Sequence, residues 1–153
     1  MGFIRYSHIE RLGNDEVEGI LNGKCYITSK LDGTQTNVWF DGKKIRCGGR
    51  NRELSLEDDE RGFVKYILSD PKFTDFFKKY PKAHLYGEWL IKHSVNYYQN
   101  AAWNKFYVYD VYINGNSPED GRNELRYDDF KRMLDEFNIE YIPVIEIIDY
   151  PSQ

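Results

Sequence analysis

A lysine followed closely by a carboxylate and a glycine is the feature of this sequence with the clearest chemical potential. Lys30, Asp32 and Gly33 lie between two apolar runs, 25–27 and 36–40. A lysine amine becomes a nucleophile only when it loses its proton, which burial or nearby cations favour. The surroundings are cationic, so phosphorus would be the natural electrophile. An isolated Lys-x-Asp-Gly run is more often an exposed turn than a catalytic motif.

Two acidic residues interrupt apolar runs further along the chain. Glu88 lies within 85–91 and Asp110 within 106–113. A carboxylate in an apolar strand is costly unless it is paired or faces a cleft. Together with Lys30 they indicate a polar pocket. The alternative is that both project from the solvated face of a one-sided sheet.

The run 106–113 is also rich in aromatic residues. Strict alternation predicts Tyr107 and Tyr109 on one face of a strand, and Phe106, Val108 and Asp110 on the other. An aromatic ring here could stack on a nucleobase, a contact that every base can make.

The remaining patterns predict the elements that position these residues. Strands are expected at 25–27, 36–40, 43–49, 85–91, 106–113 and 141–148, with a hairpin at Asp41-Gly42 and a strand end at Asn114-Gly115. Helices are expected after a capping box formed by Ser55 and Asp58, from Asp70-Pro71 onward, and over 127–137. The prediction is an α+β fold of mostly antiparallel sheets with flanking helices, in a single domain over 1–153.

Composition and charge limit the class of protein. The 153 residues are 16% aromatic, which indicates a globular chain, and the net charge of −4 argues against binding nucleic acid by bulk charge. Seven cationic side chains and two carboxylates lie between Lys24 and Arg52. This region would attract a phosphate-bearing ligand, although lysine-rich hairpin edges are also common. Without a membrane-length apolar run or signal segment, a soluble cytoplasmic protein with no membrane partner is expected.

Four segments in sequence order resemble the motifs of the covalent nucleotidyltransferases, which comprise ATP-dependent DNA ligases, RNA ligases and mRNA capping enzymes. The segments are 30–35 (Lys-Leu-Asp-Gly-Thr-Gln), Arg50 within 49–53, 86–89 (Tyr-Gly-Glu-Trp) and 107–111 (Tyr-Val-Tyr-Asp-Val). The pattern is most similar to the RNA ligase branch typified by the bacteriophage T4 RNA ligase 2 group. That branch usually has Asn where this chain has Gln35.

The resemblance implies a nucleotidyltransferase domain of the ATP-grasp-like ligase type, with ATP as AMP donor and Mg²⁺ as cofactor. It implies that Lys30 is adenylated and that AMP then activates an RNA 5′-phosphate for sealing to a 3′-hydroxyl. Asp32 and Gly33 belong to the nucleotide-binding motif. The resemblance implies that Gln35 orients phosphate or metal, and that Arg50, with Arg52 beside it, contacts the nucleotide or the RNA phosphate. It implies that Glu88 binds the ribose hydroxyls and that Asp110 supports the pocket. Tyr109 would stack on adenine, and Phe106 is the competing candidate for that position.

Two motifs of that family find no match in this sequence. One is a Glu-Gly followed by β-branched residues, and the other is a Lys-x-Lys strand that grips the α-phosphate. We therefore expect a partial adenylyltransferase domain, incomplete at the C-terminus, that adenylates poorly or not at all by itself. The alternatives are a non-catalytic nucleotide- or RNA-binding module, a DNA ligase and a capping-type enzyme. The sequence assigns no metal ligands and no oligomeric state.

Overall fold

The computed structural model describes residues 2–7, 9, 11–92, 98–113 and 124–151. The elements within these ranges are β1 (Gly23–Thr28), β2 (Thr34–Phe40), β3 (Ile45–Gly48), β4 (Glu53–Leu54), α1 (Phe63–Ser69), α2 (Pro71–Lys79), β5 (His84–Leu90), β6 (Lys105–Tyr112), α3 (Tyr127–Glu136) and β7 (Val144–Tyr150). The predicted α+β class is confirmed. The expected strand end at Asn114-Gly115 lies outside the described residues.

The strands form two antiparallel sheets. The larger sheet has the order β4-β3-β2-β5-β6, and the smaller one pairs β1 with β7. The closing strand, β7, runs over 144–150 and not over the predicted 141–148. It begins after Pro143, because a proline has no N–H to donate to the hydrogen bonds between strands. The connection 29–33 leads from the small sheet into the large one.

One face of the large sheet packs against the helices and forms the core. Val38, Leu85, Phe106 and Val108 on this face are fully buried. α1 and α2 complete the core with aromatic and aliphatic side chains, namely Phe63, Ile67, Phe73, Phe76 and Phe77. Each such side chain contributes roughly 1.5–3 kcal/mol when it is removed from water, so this layer holds the sheet rigid.

The opposite face of the large sheet, here called the cleft face, carries polar and aromatic side chains. His84 stacks between Trp39 and Tyr86, with ring centroids 5.1 and 4.4 Å away, and its Nε2 lies 3.0 Å from Asn37 Oδ1. Burial lowers the pKa of His84 to about 3. The imidazole is therefore neutral and acts as a packing group.

A β-bulge in β6 changes which residues share the cleft face. Tyr86 pairs with Asp110 and Gly87 with Val108, so Tyr109 is an extra residue in its strand. Because a bulge shifts the alternation by one residue, Asp110 does not follow Val108 into the core. The prediction that Asp110 faces away from Tyr109 is wrong, and both residues line the cleft.

The helix starts show one correct and one wrong prediction. Asp70 caps α2, where its carboxylate accepts the Lys72 N–H at 3.1 Å and Pro71 follows. Ser55 does not cap α1. Its hydroxyl accepts the Asp58 N–H in a local turn, and the Asp59 carboxylate instead accepts the Val64 and Lys65 N–H groups in the first turn of α1. None of the helices in the described ranges has the length and apolarity to cross a bilayer.

Candidate active site

A cleft of about 1360 Å³ lies over the cleft face and extends to the small sheet. Its walls come from the N-terminal segment, β1, the connection 29–33, β6 and the start of α3. Among the described residues, the polar and aromatic side chains in its lining are Arg5, Tyr6, Ser7, Tyr26, Thr28, Ser29, Lys30, Thr34, Gln35, Arg50, Glu88, Tyr109, Asp110, Glu124, Arg126, Tyr127 and Phe130. Six of the eight residues predicted for nucleotide binding line this cleft with side chains: Lys30, Gln35, Arg50, Glu88, Tyr109 and Asp110.

Lys30 reaches the cleft from the connection between the two sheets. The Ser29 N–H donates to the Pro143 carbonyl at 3.2 Å just before it, and the Gly33 N–H donates to Glu88 Oε2 at 3.2 Å just after it. Lys30 is exposed, and its charge lowers the pKa of Glu88. The ammonium group and the Glu88 carboxylate are thus neighbours within the same cleft.

Glu88 is half-buried in β5, directly opposite Gln35 of β2. Burial is the main influence on its carboxyl and raises the pKa, while the Gly33 N–H and Lys30 act in the opposite direction. The carboxylate therefore has one oxygen tied to the lysine motif. It is placed to accept further hydrogen bonds from a ligand hydroxyl.

Gly33 is required by packing. An added Cβ would lie 2.4 Å from the Trp89 carbonyl oxygen and 3.1 Å from Glu88 Cγ. The backbone at Gly33 thus packs closely against β5. Gly87 shows the same constraint, since its Cβ would lie 2.3 Å from the Tyr107 carbonyl oxygen.

Tyr109 projects into the cleft and is tied to β2. Gln35 Nε2 donates to the Tyr109 hydroxyl at 2.9 Å, a contact that spans β5. Burial raises the pKa of Tyr109, so the phenol stays neutral. The amide of Gln35 therefore has a structural partner here, in addition to any role with phosphate.

Asp110 is surrounded by other titratable groups. The Tyr6 hydroxyl donates to Asp110 Oδ2. Burial and the adjacent Glu124 carboxyl raise the pKa of Asp110, and the bond from Tyr6 opposes this shift. The Asp110 side chain is thus held in a largely buried, hydrogen-bonded position at one end of the cleft.

Three residues predicted as ligand contacts, or as candidates for one, do not line the cleft. Arg52 makes a two-point ion pair with Asp58, with both N···O distances at 3.0 Å, and does not line the cleft. Asp32 also does not line it, and its N–H donates to the Tyr98 hydroxyl at 2.8 Å. Phe106 is 0% exposed in the core beneath the sheet, so it cannot stack on a base in the cleft.

Several residues that line the cleft are not predicted from the sequence. Arg5 and Tyr6 come from the N-terminal segment, and Glu124 and Arg126 precede α3. None belongs to a motif, and their positions depend on contacts between distant parts of the chain. The Tyr-Ser pair at 6–7 carries no periodic signal that could have identified it.

A bound metal has no evident set of protein ligands in this site. Within the described ranges, no group of three or more His, Cys, Asp or Glu side chains could hold a metal ion. The donors in the cleft are separated carboxyls already engaged with Gly33, Tyr6 and Glu124. We therefore assign no residue as a metal ligand.

Comparisons with known proteins agree with this architecture. The family model described as RNA ligase matches residues 23–152. A solved structure of a Naegleria gruberi RNA ligase mutant with AMP and Mn has a TM-score of 0.70 and 20% identity, over 98% of this chain and 45% of that chain. The same enzyme with PPi has a TM-score of 0.67 and 20% identity, over 95% and 44%. A comparison with curated proteins gave no significant match.

The paired antiparallel sheets, with a lysine on their connection, have the fold of the solved RNA ligases. The chain belongs to the RNA ligase family, since the family model covers most of its length. At 20% identity the structural likeness shows the fold alone, and the chain spans less than half the length of the solved ligases it matches.

Proposed function

We propose that this chain carries the nucleotide-transfer centre of an ATP-dependent RNA ligase. Lys30 is the one lysine among the described residues that line the cleft, and this observation carries the proposal. The other cations there are Arg5, Arg50 and Arg126, and a guanidinium cannot be deprotonated to act as a nucleophile. Within the described part of the chain, Lys30 therefore supplies the amine for attack in this cleft.

The proposed reaction begins at the α-phosphate of ATP. The neutral Lys30 Nζ forms an N–P bond and loses a proton to solvent, while the bond from the α-phosphorus to the bridging oxygen breaks and pyrophosphate leaves with the electron pair. An RNA 5′-phosphate oxygen then attacks the same phosphorus and releases the lysine. Finally an RNA 3′-hydroxyl attacks the activated 5′-phosphate, loses its proton and displaces AMP.

The remaining cleft residues have roles that fit this ligand. Tyr109 offers a ring for adenine, Glu88 accepts hydrogen bonds from the ribose hydroxyls, and Arg50 provides a charged donor for phosphate. Gln35 fixes the Tyr109 hydroxyl, which supports the stacking surface. The Naegleria structures with ATP or AMP contain Mn, which supports a divalent cation with the nucleotide here. Mg²⁺, when bound, would offset charge on the phosphates.

Covalent labelling tests the proposal. The chain is incubated with Mg²⁺ and ATP carrying the label at either the α- or the γ-phosphate, and protein-bound label is followed to completion. Because the Glu-Gly and Lys-x-Lys motifs find no match in this sequence, we expect only a low level of acid-labile α-label on the wild type, with no γ-label, and loss of that α-label in Lys30→Ala. Lys43→Ala is the matched control, because Lys43 is an exposed turn lysine outside the cleft. Equal α-labelling of Lys30→Ala would refute the assignment.

Parallel measurements separate the alternatives. AMP and ATP binding by calorimetry without any covalent label would indicate a non-catalytic nucleotide-binding module. Labelling by GTP in preference to ATP would indicate a capping-type enzyme. Nicked duplexes with RNA or DNA 3′-hydroxyl ends, offered to a labelled chain, distinguish an RNA ligase from a DNA ligase by which nick receives AMP.

A further inference from the structure

The N-terminal segment 2–7 lies across the cleft face of the large sheet. The Phe3 ring centroid is 6.2 Å from that of Trp39, and its edge covers Gly48 closely enough to exclude a Cβ there. The Ile4 carbonyl accepts the Tyr86 hydroxyl at 2.8 Å. These contacts fix the segment on the sheet immediately before Tyr6.

Tyr6 contacts two of the residues proposed to form the nucleotide site. Its ring centroid lies 5.2 Å from that of Tyr109, in an edge-on arrangement, and 5.2 Å from that of Tyr86. Its hydroxyl donates to Asp110. One side chain therefore restrains both the ring that would stack on the base and the carboxyl beside it.

We propose that Tyr6 is a positioning residue for the purine nucleotide, which it serves by fixing the Tyr109 ring plane and the Asp110 carboxyl. The inference rests on the proposed function, because it assumes that a nucleotide occupies this cleft. The family match begins at residue 23, so Tyr6 lies outside the matched range. An edge-on aromatic pair and a hydrogen bond to a carboxyl are both directional contacts, and each restricts its partner to one orientation.

The surroundings of Asp110 provide a specific signature of this role. The titratable groups that face it are Tyr6, Tyr109, Tyr112 and Glu124. Burial and Glu124 raise the pKa of Asp110, and the Tyr6 hydroxyl lowers it. Removing that hydroxyl therefore raises the pKa of Asp110 further. If AMP binding depends on the ionisation of this carboxyl, the pH midpoint of binding moves to higher pH.

Calorimetric titration with AMP over a pH series tests the role, using the full 153-residue chain. The variants are Tyr6→Phe, which keeps the ring, and Tyr6→Ala. Tyr80→Phe is the matched control, because its hydroxyl also donates to a carboxylate, Glu136, but lies outside the cleft. We expect Tyr6→Phe to weaken AMP binding about tenfold with its pH midpoint displaced upward, Tyr6→Ala to weaken it more, and the control to match the wild type.

The outcomes separate this inference from the function on which it rests. If the wild type does not bind AMP, both are refuted. If the wild type and Tyr80→Phe bind AMP and the two Tyr6 variants bind it equally well, the inference alone is refuted. A loss of the same size at every pH would indicate a general structural defect and would also refute positioning. Should Tyr6→Ala fail to fold, as a melting curve would show, Tyr6→Phe decides the question.

Discussion

Replacing Gly33 by alanine should damage both the stability and the chemistry of this domain. The added Cβ would lie 2.4 Å from the Trp89 carbonyl oxygen, whereas real Cβ atoms essentially never approach other heavy atoms within 3.0 Å. The obstacle is backbone, so it cannot rotate away. The start of β2 must therefore move from β5 by more than half an ångström, roughly the distance needed to restore ordinary packing.

The structure sets the size of the effect. Overpacking of this kind typically costs about 1–3 kcal/mol in free energy of unfolding. In a domain of this length each kcal/mol lowers the melting temperature by roughly 2–4 °C, so a decrease of about 2–12 °C is expected. The same movement separates the Gly33 N–H from Glu88 Oε2, now 3.2 Å apart, and displaces the adjacent Lys30.

The assay combines thermal unfolding with α-label incorporation at a temperature well below both melting points. Gly49→Ala is the control, because Gly49 is buried, unlike the exposed Gly33, yet its Cβ would meet nothing closer than 3.7 Å. We expect Gly33→Ala to melt lower and to label more slowly even when fully folded. A melting temperature within about 1 °C of the wild type, with unchanged labelling, would show that the packing argument is wrong.

Three further predictions concern Phe106 and the residues of the proposed base and ribose sites. Phe106→Leu should lower the free energy of unfolding, by less than the roughly 3–5 kcal/mol that a buried Phe→Ala costs, and should leave AMP affinity unchanged. Tyr109→Ala should weaken AMP binding by about 1–3 kcal/mol in calorimetry, and the reverse pattern would assign stacking to Phe106. Burial raises the pKa of Glu88, so the folded state binds its proton more tightly than the unfolded state does. The contribution of Glu88 to the free energy of unfolding therefore falls as pH rises above about 4.5. Urea unfolding at pH 4 and pH 7 should therefore show the stability of Glu88→Gln, relative to the wild type, improving with pH; an unchanged difference would contradict this.

The sequence predicts those parts of the site that lie on regular strands. Glu88 is predicted as a carboxylate in an apolar run and Gln35 from the motif resemblance, and the two lie opposite each other because β2 and β5 pair in register without interruption. The fold class follows from apolar runs and turn residues, and the start of α2 follows from Asp70-Pro71. In each case the determining interaction is local in sequence or repeats with a fixed period.

The remaining features depend on contacts that no period encodes. The bulge at Tyr109 arises from the pairing of β5 with β6, and it reverses the face predicted for Asp110. The ion pair between Arg52 and Asp58 removes one expected phosphate ligand. Tyr6 enters the site through a contact between residues 104 positions apart, which no single-sequence pattern could reveal.

The place of Lys30 on the connection 29–33 has a mechanical consequence. One end of this connection is anchored next to β7 through Ser29, and the other end is anchored to β5 through Gly33. Lys30 thus lies in a short connection whose two ends are hydrogen-bonded next to different sheets. Any rotation of the small sheet against the large one must swing the amine relative to Glu88, so the angle between the sheets governs the line along which this amine can approach a phosphorus atom.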